Sequence, residues 1–99
     1  MESKSTTRHS KIAKRFIISG RVQGVGFRYF AQSWANQLGI CGYVKNLRSG
    51  NVEVYASGDP RAIEELKSRL AEGPRMARVK GFEEMDEPVD GGYTRFEIE

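Results

Sequence analysis

The chain has 99 residues, 38% of them apolar and 10% aromatic, enough for one folded domain with a single modest core. No apolar run approaches the ~20 residues of a membrane span, and the N-terminus lacks the apolar stretch of a signal peptide. One cysteine, Cys41, and one histidine, His9, exclude an intramolecular disulfide and a Cys/His zinc site, so a reducing cytoplasm is the expected compartment.

The formal net charge is +3, and its location matters more than its size. Within residues 1–15, Lys4, Arg8, Lys11, Lys14 and Arg15 stand against Glu2 alone, a balance of +4 that leaves −1 for the rest of the chain. The stretch MESKSTTRHSKIAK is nearly free of apolar residues. Residues 1–14 are therefore expected to be a disordered basic tail, and 15–99 the domain. A solvated leader is the plain reading of that tail, and an arm for an acidic partner the alternative.

FIISGRV alternates Phe16, Ile18, Gly20 and Val22 with Ile17, Ser19 and Arg21, the period of a strand. Phe27, Phe30, Ala31, Trp34, Ala35 and Leu38 then recur at helical spacing, and Gly39 is placed to end that helix. CGYVKNLR and NVEVYAS read as two strands joined by a turn at Ser49-Gly50. Asp59 and Pro60 open a second helix, with Ile63, Leu66 and Leu70 as its buried stripe and Gly73-Pro74 as its end. MARVKGFEEM reads as a strand through about Glu83, EEMDEPVDGG as a solvated acidic loop, and YTRFEIE as a short last strand. The acidic loop lacks the ligand spacing of a known calcium motif. The order β-α-β-β-α-β makes an α+β ferredoxin-like sandwich, with two helices on one face of a mostly antiparallel sheet.

The stretch RVQGVGFRYF, residues 21–30, is where function is sought, because this fold hosts many activities. QGVGFRYF partly matches the octapeptide of RNA-recognition domains. That octapeptide belongs on the third strand, whereas here it follows the first, and Phe27 and Phe30 fall on a helical face. With no basic excess on the domain, the RNA reading loses. A dinucleotide fingerprint needs a third glycine where Tyr29 stands, and a nucleotide P-loop needs a Gly-Lys-Ser/Thr step that is absent. What remains is a turn through Gln23, Gly24, Val25 and Gly26 into a helix starting near Phe27. Such a turn can aim backbone N–H groups at an anion, and Arg28 in the first helical turn can grip it. Taken alone, the motif is equally a tight turn followed by a solvated arginine.

GRVQGVGFR, residues 20–28, resembles the acylphosphatase signature G-x-V-Q-G-V-x-F-R. GYVKNLRSGNVEV, residues 42–54, is similar to that family's second signature, with Tyr43 where the family often has Trp. The resemblance runs from about Ala13 to Glu99 and leaves the tail outside. It implies hydrolysis of an acyl phosphate to a carboxylate and inorganic phosphate, without metal or cofactor. It also implies that Arg28 and the N–H groups of Gln23, Gly24, Val25, Gly26, Phe27 and Arg28 hold the phosphate, and that Asn46 positions the attacking water. The expected partner is a small acyl phosphate, with no nucleic acid and no membrane, and the protein is expected to be a monomer.

The residue inventory agrees with that chemistry. No general acid or base is apparent near the motif, and a carboxylate leaving group, of pKa ~4, departs without one. Positioning and charge stabilisation suffice for the transferring phosphoryl group. The alternatives are a carbamoyl-phosphate-handling or non-catalytic phosphate-binding module, and more distantly an RNA-binding domain. Acylphosphatase-like domains also occur inside larger carbamoyl-transferring proteins. With no zinc-finger cysteines after Glu99, a free-standing enzyme is expected.

Overall fold

The computed structural model describes residues 10–99. Most of the expected disordered tail, His9 included, lies outside the described residues. Seven elements follow in chain order: β1 (Ile12–Arg21), α1 (Phe27–Gln37), β2 (Cys41–Asn46), β3 (Val52–Gly58), α2 (Pro60–Glu72), β4 (Arg78–Glu87) and β5 (Phe96–Ile98). They build one five-stranded sheet in the order β4-β1-β3-β2-β5. All neighbours are antiparallel except β2 and β5, which run parallel. This is the ferredoxin-like sandwich anticipated from the element order, with β5 added at the β2 edge.

Alternation along the strands sorts the side chains. Phe16, Ile18 and Val22 of the first strand region and Val52, Val54 and Ala56 of β3 bury one face of the sheet. Onto it pack Phe27, Ala31 and Ala35 from α1 and Ile63, Leu66 and Leu70 from α2, so both helices share one core. Each large side chain buried there contributes about 1.5–3 kcal/mol relative to exposure. The helix ends follow local chemistry. Asp59 accepts from the Arg61 N–H at 2.8 Å, capping α2 ahead of Pro60. Beyond α1, Gly39 N–H donates to Asn36 O (3.2 Å) and Ile40 N–H to Ala35 O (2.9 Å), the paired bonds of a Schellman ending.

The opposite face is partly covered. Tyr43, Tyr55 and Tyr93 cluster there with ring centroids 5.7–5.8 Å apart. Tyr55 Oη donates to Pro88 O (2.9 Å) and accepts from the Asp90 N–H (2.7 Å), pinning the segment after β4 across the sheet.

Two stretches depart from the sequence reading, and for one reason. β1 begins at Ile12, so Ile12, Ala13 and Lys14 belong to the sheet and not to the tail. β4 continues to Glu87, so Glu83 to Glu87 are strand rather than acidic loop. The basic and acidic segments are each other's partners: Lys14 pairs in register with Asp86, and Ala13 with Glu87. Lys14 Nζ lies 2.6 Å from Glu84 and 2.9 Å from Asp86, and Arg15 Nε lies 3.1 Å from Glu87. Smaller shifts occur at the β2–β3 turn, where Leu47 and Arg48 belong to the turn, and at β5, which spans three residues only.

Candidate active site

β1 ends at Arg21 and the chain turns through Val22 to Gly26 before α1 begins. Gly24 and Gly26 have φ of +74° and +80°, left-handed values that L side chains rarely adopt. A Cβ at either would meet nothing within 4 Å, so backbone conformation, not crowding, demands glycine there. Gly26 is the N-cap of α1 and offers no side chain, and the first turn holds no acidic residue. The first helical bond is Phe30 N–H to Gly26 O, at 3.1 Å. The N–H groups of Gln23 to Tyr29 therefore have no hydrogen-bond acceptor among the described residues. Unpaired donors and the positive end of the helix dipole coincide at this point.

A cavity of about 230 Å³ opens beside them, lined among others by Gly24, Gly26, Phe27, Arg28 and Asn46. Two of the expected site residues do not line it. Val25 packs against the hydrophobic core. Gln23 turns away, and its Nε2 donates to Leu47 O (2.8 Å) and Asn51 O (2.9 Å). Only the amino end of a carboxamide can serve two carbonyls, so the group's orientation is settled by its partners. Asn46 is the last residue of β2, immediately before the turn that Gln23 holds. The side chain of Gln23 thus links the glycine turn to the hairpin carrying Asn46, a connection the sequence reading did not foresee.

Three further lining residues escaped the sequence reading: Val22, Tyr29 and Ile98. Tyr29 is 76% exposed, so its ring stands at the cavity's rim. Ile98 arrives through β5: Val44 pairs with Ile98, and Glu99 N–H donates to Val44 O at 2.8 Å. The same strand delivers the Glu99 main-chain oxygen to Arg28 Nη1, at 3.1 Å. Gln32 of α1 donates to Phe96 O (3.1 Å), tying the helix to that strand. No local pattern links residues 96–99 to residue 28, because the parallel pairing with β2 is a long-range choice.

The site holds backbone donors, one guanidinium and one carboxamide, a set suited to binding an anion and orienting a water. Among the described residues no group of three or more His, Cys, Asp or Glu could hold a metal ion, and no helix is long and apolar enough to cross a membrane.

A family model for acylphosphatase matches residues 14–98. The chain is 48% identical over 96 residues to an acylphosphatase of Solibacter usitatus, across 97% of this chain and 98% of that protein. The crystal structure of acylphosphatase from Bacillus subtilis is similar with a TM-score of 0.84 at 36% identity, covering 88% of this chain and 97% of that one. A crystal structure of full-length HypF in a phosphate- and nucleotide-bound form is similar at TM-score 0.83 and 29% identity, covering 90% of this chain but 12% of that one. The chain belongs to the acylphosphatase family and is an enzyme of that kind.

Proposed function

We propose that the chain hydrolyses the carboxyl–phosphate bond of small acyl phosphates, with the phosphate on the Gln23–Arg28 turn and the attacking water on Asn46. The observation that carries this reading is the shared cavity, where Arg28, Asn46 and the glycine turn line one space. The amides and the guanidinium stabilise charge on the equatorial phosphate oxygens. The Asn46 carboxamide accepts from the water while donating elsewhere, which fixes the direction of attack. The water oxygen bonds to phosphorus as the bond from phosphorus to the acyl oxygen breaks. The bonding pair leaves with the carboxylate, and the water's proton passes to a phosphate oxygen. The products are a carboxylate and inorganic phosphate.

A carboxylate of pKa ~4 leaves unprotonated, so the reaction needs neither a general acid nor a metal. The acyl part extends past Ile98 and Tyr29, the apolar lining residues at the rim. The reading is of a monomeric cytoplasmic enzyme.

The second reading is a carbamoyl-phosphate-handling module, since acylphosphatase-like domains occur inside larger carbamoyl-transferring proteins and this chain is similar to part of the larger HypF, whose structure holds phosphate and nucleotide. One assay in EDTA separates them, with benzoyl phosphate, carbamoyl phosphate and glycerol phosphate compared. Cleavage of the first two without the third is expected. Cleavage of carbamoyl phosphate alone would transfer the chain to the second reading. Turnover of glycerol phosphate, whose alkoxide leaves only with a proton, would refute a site that works without a general acid.

A further inference from the structure

We infer that the concave surface where β4 begins is a second anion site, fitted to a compact oligophosphate such as a triphosphate. It encloses about 520 Å³, and four of its lining residues are Arg21, Arg75, Arg78 and Lys80. The remaining lining residues are uncharged. None of its lining residues also lines the 230 Å³ cavity, so the inference stands apart from the acyl phosphate reading.

The charge arrangement is the first argument. Arg21 and Arg78 are register partners across the β1–β4 ribbon, which sends both arginine side chains from one face, and both line the concave surface. Like charges directly opposite weaken a ribbon. At the other end of this same ribbon the charges are complementary, with Lys14 bridged to Glu84 and Asp86 and Arg15 to Glu87. No ion pair among the described residues engages Arg21, Arg75, Arg78 or Lys80. The ribbon is neutralised at one end and left positive at the other. A bound anion would relieve the repulsion at the positive end.

The backbone supplies the second argument. Ser19 pairs with Gly81 and Gly20 with Val79, so Lys80 is an extra residue that bulges from β4 beside the arginine pair. Gly20 permits this with φ +118°, where a Cβ would run into the Arg78 carbonyl oxygen. Bulges re-aim side chains, and this one adds Lys80 to the arginines of the concave surface.

The same surface selects among anions. Guanidinium forks suit phosphate oxygens bidentately. No aromatic residue lines the surface, so nucleobases have no stacking platform. An acidic peptide spreads its charges along about 3.3 Å of chain per residue, whereas an oligophosphate concentrates them within the volume present. That volume falls in the range of small-ligand clefts, roughly 300–1,000 Å³.

Calorimetric titration of the full chain at low salt in EDTA tests the site, using sodium tripolyphosphate, orthophosphate and ATP. Arg28→Gln serves as background, to remove the guanidinium of the other cavity. Tripolyphosphate is expected to bind there about tenfold or more tightly than orthophosphate. Adding Arg21→Thr and Arg78→Thr, which keep strand-favouring residues, should weaken it by about tenfold or more without lowering the melting temperature. Lys80→Gln alone should weaken it less, in the same direction. ATP bound as tightly as tripolyphosphate would support a triphosphate moiety as the ligand, and ATP bound much more tightly would overturn the selection of an oligophosphate over a nucleotide. Unchanged affinity in both groove variants overturns the proposal. So does equal affinity for a poly-glutamate peptide or a single-stranded oligonucleotide.

Discussion

Gln23 Nε2 donates to the carbonyl of Leu47 at 2.8 Å, joining the turn before α1 to the turn after β2. Its second bond, to Asn51 O at 2.9 Å, reaches the other side of the same hairpin base. The hairpin is closed on itself by Leu47 N–H to Asn51 O, at 2.8 Å. Asn46 is therefore held against the glycine turn by one side chain that lies outside the cavity.

Replacing Gln23 by Ala leaves the two carbonyls without that donor. We expect kcat for benzoyl phosphate to fall roughly 10–100-fold, as small misplacements of a reacting group do. A merely structural role is distinguished by a double-mutant cycle. In an Asn46→Ala background, Gln23→Ala should have little further effect on kcat, because both act on the same water. Additive losses would show that Gln23 acts elsewhere.

Arg28 and Asn46 divide binding from orientation. Arg28→Gln should nearly abolish benzoyl phosphate hydrolysis and weaken inhibition by phosphate. Asn46→Ala should lower kcat by about 10²–10³ while phosphate inhibition stays close to wild type, as when one preorganised polar group is lost. Steady-state kinetics with phosphate as inhibitor measures both. Loss of phosphate binding in the Asn46 variant would reject a water-positioning role.

Gly26 sits at φ +80° with open space where a Cβ would be. Gly26→Ala should cost about 1–2 kcal/mol, the left-handed penalty of an L residue, and lower the melting temperature by several degrees. Turnover should fall as well, since relief of that strain would rotate the N–H groups of the turn. A variant with unchanged stability and turnover would mean that the turn tolerates another conformation.

Tyr29 at the rim should matter in proportion to the acyl group. Tyr29→Ala is expected to raise KM for benzoyl phosphate several-fold and to leave carbamoyl phosphate nearly unaffected, because an aromatic contact is worth ~0.5–1.5 kcal/mol. Equal effects on both substrates would place the acyl group away from that ring.

Acid stability should report on Glu84. Its carboxylate accepts from Lys14 and Lys67, each at 2.6 Å, and these bonds lower its pKa from the ordinary value of 4.5. With the folded value depressed, its contribution is fully present above about pH 4.5 and is lost as pH falls through the folded value. Glu84→Gln should therefore destabilise the chain at neutral pH and reduce the loss of stability on acidification below pH 4.5. Chemical denaturation at a series of pH values measures this, and parallel curves for the two proteins would remove Glu84 from the acid transition.

The glycine turn, the two helices and their caps were legible in the sequence because each depends on residues a few positions apart. Phe27, Ala31 and Ala35 share a face by helical spacing, Asp59 caps its own helix, and glycines at positions 24 and 26 announce an unusual turn. Arg28 is placed correctly at the opening of a helix and Asn46 on a strand, although that strand ends at Asn46 and not at Arg48. Only the tertiary structure decided how these pieces meet. Lys14 and Glu84 each looked solvated because each lay in a charge-dense stretch, and register across β1 and β4 made them partners. Gln23 looked like one more backbone donor until its side chain found the hairpin. Glu99 came to Arg28 through the parallel pairing of β5 with β2, a contact between residues that share no periodicity. Periodicity and capping are properties of a few neighbouring residues, whereas register and strand order are set by which distant surfaces bury each other.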